Sequence, residues 1–82
     1  MEPGIFSTKD TALAAFLHSK GFEFIRADST RFPTILWLRD DDSRIQKFVK
    51  SYTTGRAVGN IPAFYRSYKR MLNEIKLSKG NR

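Results

Sequence analysis

The stretch Ile35-Leu36-Trp37-Leu38 decides the fold of this chain. Four consecutive apolar residues offer apolar side chains to both faces of a sheet, as is typical of a strand that is central in its sheet or covered on both sides. We therefore predict a strand over residues 32–38 that is central in its sheet or covered twice. Pro33 should lie at its start or on a bulge, because proline cannot donate a hydrogen bond to a neighbouring strand.

A second strand is predicted just before it, over residues 22–27. Phe22 and Phe24 alternate with Glu23, and Asp28-Ser29-Thr30-Arg31 has the composition of a turn. The two strands therefore form an antiparallel hairpin. Because a two-stranded sheet is marginal by itself, we expect a third strand or a partner chain to complete it, and Ile5-Phe6 could be an edge strand or a hydrophobic staple.

A helix is predicted on the N-terminal side of the hairpin. Ser7 and Asp10 resemble a capping box, with Thr8 as an alternative cap, and Gly21 ends the helix. Its apolar face consists of Ala12, Leu13, Phe16 and Leu17.

Two more helices are predicted after the hairpin. Asp40-Asp41-Asp42-Ser43 opens the first of them, where carboxylates favour the positive helix end, and Thr53-Thr54-Gly55 stops it. Its apolar residues are Ile45, Phe48, Val49 and Tyr52. Residues 56–59 form a linker, or at most a short strand around Ala57-Val58.

The last helix is capped by Asn60, carries Pro62 in its first turn and runs to about Lys79. Its predicted buried stripe consists of Ile61, Phe64, Tyr65, Tyr68, Met71, Leu72 and Ile75. The chain of 82 residues is thus predicted to be a single small α+β domain, of order α-β-β-α-α with a possible extra N-terminal strand. Its helices pack on a sheet built from the antiparallel hairpin.

Composition excludes several classes of protein. With no cysteine, neither a disulfide scaffold nor a zinc finger is possible. No apolar run approaches the roughly 20 residues of a membrane span, and the N-terminus lacks the features of a signal peptide. We expect a cytoplasmic protein without a membrane partner, a metal or a cofactor.

Charge is distributed very unevenly along the chain. Residues 1–42 contain five basic and seven acidic residues, whereas residues 43–82 contain ten basic residues and a single acidic one, Glu74. The second half thus carries a net charge of +9 and the first half −2, which together give the total of +7. Such a field attracts polyanions, among which nucleic acid is the commonest, and solubility alone does not require it.

The basic residues of the last helix recur at helical spacing. We name this set the basic face: Arg66, Lys69, Arg70, Asn73 and Lys76. Its cations can contact phosphates, while Asn73 or an arginine can reach base edges. Further cations that could support it are Arg44, Lys47, Lys50 and Arg56. These residues predict a DNA- or RNA-binding protein.

Three alternatives stay open for the same residues. The basic face could be an ordinary solvated helix surface, or it could dock an acidic protein partner. A homodimer through the hairpin edge or the last helix is also possible. Aromatic residues likewise have two interpretations, as core residues or as stacking platforms for single-stranded nucleic acid; they are Trp37, Tyr52, Tyr65 and Tyr68.

The remaining chemical groups predict no catalytic site. Three consecutive carboxylates at residues 40–42 suit a helix cap better than a cation site, since calcium loops space their ligands alternately. His18 has no cysteine or carboxylate at ligand spacing and is predicted to be a surface residue. The sequence contains no nucleophile–base pattern, so we expect no enzyme.

Two segments carry a family resemblance. The block Phe6-Ser7-Thr8-Lys9-Asp10-Thr11-Ala12-Leu13-Ala14-Ala15-Phe16-Leu17, followed by Gly21-Phe22, resembles the F-S-T-x-D-x-x-L-A-x-x-L opening of a family of short uncharacterised proteins of bacteria and their phages. Phe64-Tyr65-Arg66-Ser67-Tyr68-Lys69 is similar to that family's Y/F-x-x-Y-K segment. The resemblance implies a prophage or mobile-element origin and supplies no site residues.

Overall fold

The described residues form three strands and three helices. The computed structural model describes residues 4–41, 43–55 and 61–80. The elements are β1 (Ile5–Thr8), α1 (Thr11–Ser19), β2 (Phe24–Asp28), β3 (Ile35–Arg39), α2 (Ile45–Thr53) and α3 (Ile61–Ser78). The α+β class is thereby confirmed, in the order β-α-β-β-α-α, and the third strand is the one that begins at Ile5.

The sheet has the order β1-β3-β2 and is antiparallel throughout. The apolar strand β3 is therefore central, as the sequence predicts. Ser7 of β1 and Arg26 of β2 both lie opposite Trp37, and a bulge interrupts β2 between Phe24 and Arg26. β3 begins at Ile35 rather than at residue 32, because Phe32 and Pro33 belong to the connecting loop.

The start of β2 was predicted two residues too early, because Phe22 belongs to the end of α1. Gly21 has a φ of 100°, a left-handed conformation that glycine adopts without strain. The N–H of Gly21 bonds to the carbonyl of His18, and the N–H of Phe22 bonds to the carbonyl of Leu17. These two bonds form a Schellman cap, which turns the Phe22 side chain into the core.

The cap of α1 also differs from the prediction. Ser7 lies in β1, and the N-cap is Asp10, whose Oδ1 accepts a hydrogen bond of 3.1 Å from the N–H of Leu13. Thr8 acts one step earlier, since its hydroxyl oxygen accepts a bond from the N–H of Asp10. Strand pairing of β1 with β3 thus moves the helix start beyond the predicted Ser7 or Thr8.

The core lies between α1 and one face of the sheet. Leu36 and Leu38 of β3 are fully buried, and so is Leu17 of α1. Five consecutive residues of α1 are buried, so the buried surface of this helix is wider than the predicted apolar face. These five residues are Leu13, Ala14, Ala15, Phe16 and Leu17.

α2 packs against α1 through aromatic contacts. The Phe16 ring lies 6.4 Å from the Phe48 ring and 5.5 Å from the Tyr52 ring. Asp40 caps α2 from outside the helix, because its Oδ1 accepts bonds from the N–H groups of Arg44 at 2.7 Å and Ile45 at 3.1 Å. One aspartate of the predicted opening run therefore does the capping.

α3 packs along α1 and over β2. Met71 is buried, and Phe64, Tyr68 and Ile75 pack against the core. The predicted seven-residue stripe is wrong for its other members, since Ile61, Tyr65 and Leu72 are exposed. The predicted linker, the short strand around Ala57-Val58 and the Asn60 cap lie outside the described residues.

Candidate functional site

The basic face lies on the solvent side of α3. Arg66, Lys69, Asn73 and Lys76 are all exposed, whereas Met71 points into the core. The three cations among them form no ion pair with a carboxylate in the described part of the chain. Three unpaired cations on one helix produce a positive potential that a phosphate backbone can compensate.

Arg70 differs from the other members because it is held in place by its neighbours. Its Nε lies 3.7 Å from Oε2 of Glu74, one helical turn away. Its guanidinium also lies 6.0 Å from the centre of the Phe24 ring on β2. Arg70 therefore helps to fasten α3 to the sheet, and of the basic face it is the residue least free to bind a ligand.

The other cations considered, apart from Arg56, lie on or just before α2, a different helix from the basic face. Lys47 and Lys50 are exposed, and Arg44 is exposed with its guanidinium 5.4 Å from the Phe22 ring centre. α2 and α3 are each packed against α1. α2 and α3 are not packed closely on each other, so helix packing does not bring their cations into one patch. Arg56 lies outside the described residues.

An exposed apolar stripe adjoins the basic face. Ile61 is 80% exposed, Tyr65 60% and Leu72 47%. We call these three residues the apolar flank. Sequence periodicity assigned them to the core, since it gives the direction of a helix face but not how much of that face a neighbour covers.

Apolar flank and basic face interleave along one line of α3. Tyr65, Lys69, Leu72 and Lys76 follow one another at i, i+4, i+7 and i+11, the spacing of neighbours on one helix face. The ammonium group of Lys69 lies 5.5 Å from the centre of the Tyr65 ring, within cation–π range. The line therefore offers an aromatic ring, an aliphatic side chain and two cations to the same ligand.

A histidine–serine pair joins α1 to α3, and the sequence did not reveal it. Nδ1 of His18 lies 2.8 Å from Oγ of the buried Ser67. A guanidinium nitrogen of Arg70 lies 3.5 Å from Nε2 of the same ring. His18 is half-buried, so its predicted place on the open surface is wrong.

The proton positions of this pair follow from its partners. A guanidinium only donates, so the neutral tautomer that suits both neighbours has Nε2 facing Arg70 and the N–H of Nδ1 donated to Ser67. Burial lowers the pKa of His18, and the positive charge of Arg70 lowers it further. Because the imidazole donates to Ser67, it cannot remove the hydroxyl proton in this arrangement, and the pair is a structural link between helices.

Carboxylates of the described residues are occupied by local contacts. Asp40 caps α2, while Asp41 lies 3.7 Å and Glu23 lies 3.2 Å from Arg39. A hydrogen bond from the Thr30 hydroxyl and another from its N–H lower the pKa of Asp28. No group of three or more metal-ligating side chains occurs within residues 4–41, 43–55 and 61–80.

Trp37 lies on the sheet face opposite the core. Its ring is partly covered by Arg26, whose guanidinium lies 5.2 Å from the ring centre, and Arg26 in turn lies 3.7 Å from Asp28. Tyr52 and Tyr68 are half-buried against the core, and burial raises the pKa of Tyr52. Among the four aromatic residues considered for stacking, Tyr65 is therefore the exposed one, with the Lys69 ammonium group over its ring.

Comparisons with known proteins give a family and no function. None of the helices in the described segments is both long enough and apolar enough to cross a membrane. Neither the curated proteins nor the solved structures contain a match to the chain. A family model matches residues 4–78, so the chain belongs to the family described as Domain of unknown function (DUF5659).

Proposed function

We propose that this protein binds nucleic acid through the basic face of α3, mainly by contacts to phosphates. The observation that carries the proposal is the exposure of Arg66, Lys69 and Lys76 without a carboxylate partner among the described residues. α3 as a whole has four basic residues and one acidic residue, and that acid is already close to Arg70. A polyanion would supply the missing counter-charges.

The salt dependence of binding gives the number of phosphates contacted. If Arg66, Lys69 and Lys76 act alone on duplex DNA, log affinity should change with log salt at a slope of about −2.7. If Lys47 and Lys50 of α2 also bind, the slope should approach about −4.5. Titrations of labelled DNA and RNA between about 50 and 200 mM salt distinguish these two footprints.

Two charge-matched variants test where the ligand binds. Arg66→Glu with Lys76→Glu reverses two charges of the basic face and leaves the contact between Lys69 and Tyr65 unchanged. Lys9→Glu with Arg31→Glu reverses two exposed charges elsewhere, so the net charge of both variants is the same. Weak binding by the first variant and near-normal binding by the control is the expected result.

Equal loss in both variants would show that only the overall charge matters and would contradict a site on α3. Retained binding in the Arg66/Lys76 variant would contradict it too. Circular dichroism of both variants checks that the fold is unchanged, which we expect because all four residues are exposed.

A second candidate is an acidic protein partner that docks on the same face. Ile61 and Leu72 favour it, because exposed aliphatic side chains beside cations are a feature of protein interfaces as well. Absence of binding to any nucleic acid at low salt would favour this candidate. A cytoplasmic location and a bacterial or prophage origin remain predictions that accompany either function.

A further inference from the structure

Tyr65 gives the basic face a feature that phosphate contacts alone do not need. The residue is 60% exposed in the second turn of α3, a helix that packs on α1 through other residues. The apolar ring of an exposed tyrosine is in contact with water. A planar group that stacks on the ring displaces this water, which favours binding. Lys69 lies against this ring and belongs to the basic face.

The order of groups along α3 suits a strand whose bases are free. Bases of a single strand can leave their own stack and lie on an aromatic ring, whereas bases of a duplex are already stacked on each other. Cations that follow the ring along α3 would hold the backbone that leads away from the stacked base. Lys69 lies one helical turn from Tyr65, and Lys76 follows about 10 Å further along the helix.

Trp37 provides a contrast within the same molecule. Trp37 is half-buried, and the cation over its ring, Arg26, is itself close to a carboxylate, Asp28, as Arg39 is to Glu23. The sheet face around Trp37 therefore has no excess of positive charge to attract a phosphate backbone. Stacking and positive charge coincide at Tyr65 and not at Trp37.

We propose that the ligand of the basic face is single-stranded nucleic acid, with one base stacked on Tyr65 and the neighbouring phosphates bound by Lys69 and Lys76. This inference rests on the proposed function and specifies its substrate class. It makes Tyr65 a binding residue rather than a core residue. Sequence-tolerant binding follows, because every base has a face that can stack.

The test compares wild type, Tyr65→Ala and Tyr65→Phe on matched single-stranded and duplex oligonucleotides at one salt concentration. Loss of a stacked base should weaken single-strand binding by about tenfold in Tyr65→Ala. Tyr65→Phe should retain most of the affinity because the ring is kept. Duplex binding should be nearly the same in all three proteins.

Phe32→Ala is the matched control. Phe32 is 93% exposed beside Arg31, but it lies in the β2–β3 loop and not on α3. It should bind single strands as well as wild type does. If Phe32→Ala loses as much affinity as Tyr65→Ala, stacking at Tyr65 is not the cause and the inference is wrong.

Other outcomes separate the two proposals. A duplex preference in wild type, or unchanged single-strand binding in Tyr65→Ala, would overturn the single-strand inference while nucleic-acid binding stands. Failure of wild type to bind any oligonucleotide would overturn the proposed function itself. A single strand carrying a photoreactive base should in addition crosslink to the α3 peptide that contains Tyr65, and crosslinking elsewhere would contradict the assignment.

Discussion

α1 and α3 are both helices with apolar stripes, yet the structure uses them differently. α1 has nine residues and buries five in succession, because the sheet, α2 and α3 all contact it. α3 has eighteen residues and buries only Ser67 and Met71. The apolar residues of α1 therefore stabilise the fold. α3 also has exposed apolar residues that the core does not use, and those are candidates for binding.

The largest expected effect comes from truncating one leucine on each helix. Leu17→Ala removes a fully buried side chain of α1 and should lower the free energy of unfolding by about 2–5 kcal/mol. Leu72→Ala makes the same chemical change on α3, where the side chain is 47% exposed, and should cost about 0.5 kcal/mol. Urea denaturation measures both.

Similar losses in the two variants would contradict the contrast between the helices. They would mean that Leu72 is covered in solution, for example by a second copy of the chain. Measuring both variants over a range of protein concentrations checks this, because the stability of a dimer depends on concentration and that of a monomer does not.

The sequence was sufficient to predict the sheet. Ile35-Leu36-Trp37-Leu38 predicted a central or doubly covered strand, and the marginal stability of a hairpin predicted a third strand or a partner chain. Element ends were predicted less well, because they depend on contacts between distant segments. Pairing of Ser7 with Trp37 places Ser7 in β1, so the helix cap is Asp10. Phe22 is buried as part of the C-terminal cap of α1 and does not begin β2.

The candidate site was predicted in part, for a reason of geometry. A helical stripe predicts which residues share a face, and this put Arg66, Lys69 and Lys76 together. It does not predict how wide the covered face is: Ser67 and Met71 are buried, whereas Tyr65 and Leu72 in the same part of α3 are exposed. Ile61, Tyr65 and Leu72 were for that reason wrongly assigned to the buried stripe. The contact of His18 with Ser67 joins residues 49 positions apart, and no local pattern indicates it.

A smaller effect is expected at the polar link between the two helices. Ser67→Ala removes the acceptor of the His18 N–H and leaves this half-buried donor without its partner. The free energy of unfolding should fall by about 1–3 kcal/mol. A double-mutant cycle with His18→Ala measures the coupling, and additive losses would show that the two side chains do not interact.

The smallest effect should be a dependence of stability on pH, which reports the same link. Burial and then Arg70 lower the pKa of His18, so the folded state binds this proton less tightly than the unfolded state does. Stability should be complete above the unfolded pKa of about 6.5 and should decrease as pH falls through the lowered folded pKa. His18 is the single histidine of the chain.

Two controls show whether this pH dependence comes from His18 and Arg70. His18→Gln should remove the loss between pH 7 and about 5, the range in which histidine titrates. Arg70→Gln should raise the pKa of His18, measured by NMR titration of its ring protons, because one of the two causes is removed. An unchanged pKa in Arg70→Gln would show that the guanidinium lies away from the ring in solution.

A phosphate bound near Arg70 would also raise the pKa of His18. The same resonance therefore reports whether a ligand on α3 extends to the edge that faces α1.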